Sequence, residues 1–253
     1  MKHRVAIVQR EIVWGDVQRN LDILEQRIKG VVADTIVLSE MFQTGFMTSE
    51  VVAEPMDGAT TAWMRRMAAM CDAAIVGTVA ISEGGKLYNR MLFVKPSGEV
   101  EYYDKHHLFT AGGERRLFTS GCERRVVEWR GVRFLLEVCY DLRFPVWSRQ
   151  RGDYDAIIYS ALWPSPRREV WRTLLRARAI ENQCYVVGVN RIGCEPQLSY
   201  SGDSAVIDFF GRTMVDMADA DDVVIVELDV EQRQSAIERF NTMGDADTFT
   251  IIQ

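Results

Sequence analysis

Short apolar, β-branched runs recur along the chain at residues 5–9, 35–38, 74–81, 91–94, 132–139, 156–159, 185–190, 204–209 and 223–228. Runs of that length and composition predict strands buried on at least one face. Between some of them the period changes. Val17, Leu21, Leu24 and Ile28 fall at i, i+4, i+7 and i+11 behind Asp16, the pattern of an amphipathic helix with an acidic N-cap. Trp63, Met67 and Met70 repeat the spacing behind Thr60 and Thr61, and a third helix over 167–182 gathers Val170, Trp171, Leu174, Leu175 and Ala179 on one side. Turn residues at Gly84-Gly85 and Pro96-Ser97-Gly98 predict directly paired strands, so the expected architecture is a layered α/β fold with mixed sheets. There is no internal repeat, no low-complexity tract and no Gly/Ser linker, and six prolines mark no boundary. Residues 1–253 are expected to form one domain.

Composition narrows the class. The chain is 47% apolar and 26% charged over 253 residues, the proportions of a globular protein. At that length roughly 70–75% of the unfolded surface is buried on folding, enough to need no staple. Net charge is −6 and the basic residues are interleaved with acids, which argues against nucleic acid as a partner. The longest apolar stretch, near 73–81, is interrupted by Gly77 and Thr78, well short of the ~20 residues that cross a bilayer. The run 5–8 is too short for a signal-peptide core, so export is not expected. Five cysteines, an odd number with no C-x-x-C pair, predict reduced thiols and a cytoplasmic setting.

Several chemistries lack their residues. The only histidines are His3 and the adjacent His106 and His107, a poor supply for a His-based triad. No H-E-x-x-H, Cys/His cluster, phosphate-binding loop or dinucleotide fingerprint occurs, so no metal or cofactor is expected. Three residues at element ends stand out instead. Glu40 closes the run 35–39, an acid at the mouth of a buried strand with Phe42 close by, which suits a general base; equally, strand ends commonly carry solvated charge. Cys139 ends the run 132–139 where a turn follows, and backbone N–H groups at such a junction lower a thiol's pKa and can hold an oxyanion; a cysteine there is also commonly inert core, the expectation for Cys71, Cys184 and Cys194. Lys105, among Tyr103, His106, His107 and Phe109, is readable as an oxyanion stabiliser favouring thiolate or as a surface charge.

Their order and contexts resemble the nitrilase, or carbon–nitrogen hydrolase, superfamily. The relevant stretches are Val37-Leu-Ser-Glu40-Met-Phe, Tyr103-Asp-Lys105-His-His-Leu-Phe and Val138-Cys139-Tyr-Asp-Leu-Arg-Phe-Pro, with 176–182, 189–193 and 200–208 adding family-like pieces, so nearly the whole chain is covered. Cys139-Tyr-Asp-Leu-Arg-Phe-Pro-Val-Trp147, Leu162-Trp-Pro-Ser-Pro166 and Asp245-Ala-Asp-Thr-Phe249 are most similar to the omega-amidase branch. One departure is Ser39, where many relatives have Pro before the glutamate. The resemblance implies a four-layer αββα sandwich, usually dimerised, with Glu40 as base, Lys105 as oxyanion stabiliser and Cys139 as nucleophile. It implies a second glutamate, matched by Glu114, and no cofactor. The implied reaction is hydrolysis of the terminal amide of 2-oxoglutaramate or 2-oxosuccinamate, through a cysteine thioester, to the dicarboxylate and ammonia. Tyr140 would add a backbone N–H to the oxyanion site, Arg143 or Arg191 a cation for the carboxylate, and Phe46 and Trp163 the pocket wall. Two alternatives stay open: the same machinery acting on a nitrile, N-carbamoyl amine or aliphatic amide, and a silent binding or redox-sensing module built around Cys139.

Overall fold

The computed structural model describes residues 2–47, 52–195 and 198–251. Its strands are β1 (Lys2–Gln9), β2 (Thr35–Val37), β3 (Ala74–Glu83), β4 (Lys86–Val94) and β5 (Val100–Asp104) in the first half. The second half adds β6 (Val126–Trp129), β7 (Val132–Val138), β8 (Ala156–Ser160) and β9 (Tyr185–Val189). Then follow the short ribbon β10 (Ile192–Cys194) and β11 (Ser199–Ser201), and β12 (Ala205–Ile207), β13 (Thr213–Asp216) and β14 (Asp222–Asp229). The helices are α1 (Val17–Ile28), α2 (Ala59–Cys71), α3 (Pro145–Ser148), α4 (Arg168–Asn182) and α5 (Val230–Arg239).

Two six-stranded sheets result, ordered β14-β1-β2-β3-β4-β5 and β13-β12-β9-β8-β7-β6. Each has three parallel strands at its centre, β1-β2-β3 in one and β7-β8-β9 in the other, and antiparallel strands outside them. Alternation along the strands builds the layers. Val5 and Ile7 face the second sheet, together with Val37, Val76, Met91 and Phe93, and meet Phe134, Leu136 and Val138 there. Their neighbours Ala6, Val8, Ile36, Ile75 and Leu92 turn the other way, beneath Leu21, Leu24 and Ile28 of α1 and Trp63, Met64 and Met67 of α2. On the far face of the second sheet Trp171, Leu175 and Ala179 of α4 are buried. The α4 contact is close because β9 carries Gly188: a Cβ there would lie 2.7 Å from Leu175 and 2.9 Å from Trp171. Truncating a fully buried side chain such as Trp171 to Ala costs about 3–5 kcal/mol.

Several expectations need correction. The second helix starts at Ala59 with Gly58 as N-cap, so Thr60 and Thr61 are buried within its first turn rather than preceding it. Met70 is 49% exposed; Met64 and Met67 carry the buried stripe. Arg167 caps α4 from outside instead of starting it. The run 204–209 yields only Ala205–Ile207, because Asp208 accepts turn hydrogen bonds from the backbones of Phe210 and Arg212. Cys194 is exposed rather than core. The Asp16 cap forms as expected, accepting from the backbone N–H of Arg19 at 3.0 Å. Among the described residues no helix is long and apolar enough to cross a membrane.

Candidate active site

The parallel strands of both sheets end on the same side, and the side chains singled out in the sequence lie just past those ends, the position ligands favour in parallel α/β sheets. Glu40 follows β2, Lys105 follows β5, Cys139 follows β7 and Leu162 follows β8. Three hydrogen bonds staple the sheets here. Ser160 Oγ donates to Leu38 O at 2.7 Å, Glu40 N to Ala161 O at 3.4 Å, and Leu162 N to Glu40 Oε2 at 2.9 Å.

Burial makes the next contacts strong. Lys105, Glu40 and Glu114 are each 1–2% exposed. Lys105 Nζ donates to Glu40 Oε1 and Glu114 Oε2, both at 2.9 Å. Asn89, on β4, donates through Nδ2 to both carboxylates, at 2.7 Å to Glu40 and 3.1 Å to Glu114. The backbone N–H of Phe109 adds a 2.6 Å bond to Glu114 Oε2. Glu114 reaches inward because two 3₁₀ turns, Thr110–Gly112 and Glu114–Arg116, flank Gly113, whose φ of +78° is left-handed. An ammonium has three N–H bonds, and the two carboxylates use two. Burial alone would pull the Lys105 ammonium down; the charges of Glu114 and Glu40 outweigh it and hold the pKa well above the ordinary lysine value.

Cys139 opens a 3₁₀ turn, Cys139–Arg143, with φ +45°. Met41, next to Glu40, has the same φ. Left-handed backbone at non-glycine residues costs about 1–3 kcal/mol each and collects at functional sites. The Cys139 turn is fixed by Asp141, fully buried, which accepts from Val138 N at 3.0 Å, Tyr103 OH at 2.8 Å and His107 N at 2.8 Å, and pairs with His107 Nδ1 at 2.8 Å. One carboxylate therefore joins the segment carrying Lys105 to the turn carrying Cys139. The thiol differs from the sequence expectation. Burial first, then the charge of Glu40, push Cys139 well above the usual thiol range, against the opposing pull of Lys105. The junction does not lower its pKa, because tertiary burial and a facing carboxylate outweigh local N–H groups.

These groups line a cavity of about 550 Å³, into which Glu40, Lys105, Glu114 and Cys139 all project. Its walls include Trp14, Phe46, Phe109, Tyr140, Trp163 and Tyr200. Arg143 lines the same cavity, its guanidinium 5.0 Å from the Trp163 ring centroid and 6.0 Å from that of Tyr140. Arg191 does not reach it: fully buried, it donates to Glu195 at 2.9 Å and to Ile192 O at 3.0 Å. Its carboxylate partner, Glu195, lines the cavity and takes up the Arg191 charge. Sequence reasoning missed Asn89, which bridges the two carboxylates, and Arg167, which also lines the cavity. Asn89 had a signal, since the β4 alternation that turns Met91 and Phe93 inward places a polar residue at the next inward position. Arg167 had none, being one arginine of several around α4.

The carbon-nitrogen hydrolase family profile matches residues 4–238. The chain is 41% identical over 254 residues to the omega-amidase YafV of Escherichia coli K12, covering 98% of each, and 31% identical over 255 residues to the 2-oxoglutaramate amidase of Bacillus subtilis, covering 97% of this chain and 98% of that one. A crystal structure of a CN-hydrolase superfamily protein from Xanthomonas campestris, with an arsenic adduct in its active site, superposes with a TM-score of 0.97 at 41% identity over 99% of both chains. Two mixed sheets flanked by helices, a buried Glu-Lys-Glu cluster facing a cysteine, and these matches lead to one assignment: the chain belongs to the carbon-nitrogen hydrolase family.

Proposed function

We propose that this protein hydrolyses the terminal amide of a small omega-amido 2-oxo acid, 2-oxoglutaramate or 2-oxosuccinamate, giving the dicarboxylate and ammonia through a thioester on Cys139. The observation that carries the chemistry is the Lys105 ammonium held between Glu40 and Glu114 in the cavity that Cys139 also lines. The substrate follows from the names of the omega-amidase and 2-oxoglutaramate amidase relatives.

The resting thiol carries its proton, so attack needs a base. Glu40 takes that proton as sulfur adds to the amide carbonyl. The tetrahedral oxyanion is held by the remaining Lys105 N–H and the backbone N–H of Tyr140. Glu40 passes its proton to the nitrogen, the C–N bond breaks and ammonia leaves, with the acyl group on sulfur. Water then adds to the thioester, Glu40 accepting its proton. Collapse expels the sulfur, Glu40 returns the proton, and the acid departs. Glu114 and Asn89 keep Lys105 and Glu40 aligned, Phe46 and Trp163 form the wall, and Arg143 attracts the substrate carboxylate. Because Glu40 and Cys139 come from different sheets, the whole chain acts as one domain on this reading. A homodimer in a reducing cytoplasm completes it, a state that light scattering of the purified protein would check as twice the protomer mass.

The test is ammonia release from 2-oxoglutaramate compared with a nitrile, an N-carbamoyl amine and a plain aliphatic amide at matched concentrations. The reading expects kcat/KM for the oxo acid to exceed each of the others. Equal or lower turnover of the oxo acid removes the substrate assignment and leaves the thioester chemistry to be tested on its own.

A further inference from the structure

The cavity has a charge gradient that the chemical step does not require. Its deep part holds two carboxylates, Glu40 and Glu114, against one ammonium, Lys105, all nearly inaccessible. Its outer part holds two half-buried guanidiniums, Arg143 and Arg167. Neither has a hydrogen-bonded or ion-paired acceptor among the described residues; both rest on aromatic rings instead. Arg143 lies over Trp163 and Tyr140, while Arg167 Cζ is 5.4 Å from the centroid of Phe109, whose ring is 5.0 Å from that of Tyr140. The backbone is fixed as well, since Trp163 Nε1 donates to Arg167 O at 2.8 Å. Among the described residues the one other acid lining the cavity, Glu195, is paired with Arg191 at 2.9 Å. A guanidinium with its fork unused, held by cation–π contact in a pocket, is prepared for a planar oxyanion.

We propose that Arg167, acting with Arg143, is a specificity-determining residue that seats the 2-oxo carboxylate of the substrate and rejects the counterpart carrying an α-ammonium group. This rests on the omega-amidase reading. A molecule with an amide at one end and a carboxylate at the other enters amide first, because its carboxylate is drawn to the outer cations and repelled by the net negative floor. A neutral oxo group beside that carboxylate adds an acceptor for the second fork. An ammonium in its place meets two like charges with no free carboxylate among the described residues to receive it. The hydrolysed end, now a carboxylate beside Glu40 and Glu114, is repelled in turn, which favours release.

Two measurements test the pair. In the first, kcat/KM for 2-oxoglutaramate and for L-glutamine is compared in the wild type, R167Q and R167K. The ratio is expected to fall about 10- to 100-fold in R167Q, chiefly through KM for the oxo acid, with partial recovery in R167K, which keeps the charge but loses the fork. In the second, calorimetric binding of 2-oxoglutaramate to C139A, which cannot turn it over, is expected to weaken by a similar factor when R167Q is added. A ratio unchanged within twofold, or a proportional loss on both substrates with unaltered binding to C139A, overturns the proposal. If the wild type does not hydrolyse 2-oxoglutaramate, the omega-amidase reading fails by itself. Glutaramate against neutral pentanamide in the same variants then decides Arg167: a selective loss for glutaramate sustains its carboxylate role, and equal losses end it.

Discussion

The floor and the outer part of one cavity are built on opposite principles. At the floor, both oxygens of Glu40 and of Glu114 already have donors, and Lys105 is held by two acceptors. Farther out, Arg143 and Arg167 have aromatic faces and no acceptor among the described residues. A buried charge left unpaired is costly, so the floor must be complete before substrate arrives, and its geometry is set in advance of the reaction. Half-exposed guanidiniums can be left to water at little cost, which keeps them free for a ligand. On the proposed reading the contrast separates groups that act on the reacting bond from groups that choose the molecule.

That separation can be broken by substitution. The largest effect is expected for C139A, which removes the covalent route; turnover should fall by at least about 10⁴-fold with the fold retained by circular dichroism. E40Q comes next, with kcat lowered about 10²- to 10⁴-fold, since the amide cannot accept the thiol proton. Near-normal rates in E40Q would assign the base elsewhere. K105M should cost about 10²- to 10³-fold in kcat as the oxyanion loses its cation. E114Q should cost less, about 10- to 100-fold, because it acts by aligning the lysine. A large KM effect from any floor variant, with kcat intact, would erase the distinction between floor and outer part.

The smallest effect is one of pH. Burial and Glu40 raise the Cys139 pKa, so the folded state keeps a proton that the unfolded chain releases above roughly pH 8.5. With fewer protons on the unfolded state, stability contributed at this site is intact below that pH and declines as pH rises through and beyond it. Denaturant unfolding of wild type and C139A at pH 7 and pH 10 should show a steeper alkaline loss in the wild type. The 240 nm difference spectrum between them should show no thiolate near pH 8.5, where a free cysteine is about half ionised. In E40Q the thiolate should appear at lower pH than in the wild type.

Much of the frame was legible because it is periodic. The central strands β1, β3, β7, β8 and β9 and the helices α1 and α4 carry alternating or helical apolar patterns over enough residues to read. The elements missed are short or polar. β6, β10, β11 and β13 have three or four residues each, and α5 buries Arg233 as its one fully enclosed side chain among the described residues. Glu40, Lys105 and Cys139 drew attention as chemically apt residues at strand ends, yet each alone was as readable as surface charge or inert core. The family resemblance joined them and supplied Glu114. What local sequence misjudged was the thiol, whose acidity depends on Glu40, 99 positions earlier, and on burial between two sheets. Arg167 was invisible for a related reason, since its guanidinium is notable for lacking an acceptor among the described residues, in a cavity assembled from distant segments.

The most direct test of the account is acid quenching of the wild type during turnover of 2-oxoglutaramate, followed by mass spectrometry of the peptide bearing Cys139. The account predicts a mass increase equal to the acyl group, on Cys139 alone, that disappears when substrate is exhausted and never forms in C139A. Sustained ammonia release with that peptide unmodified, or an acyl group on another residue, would contradict it.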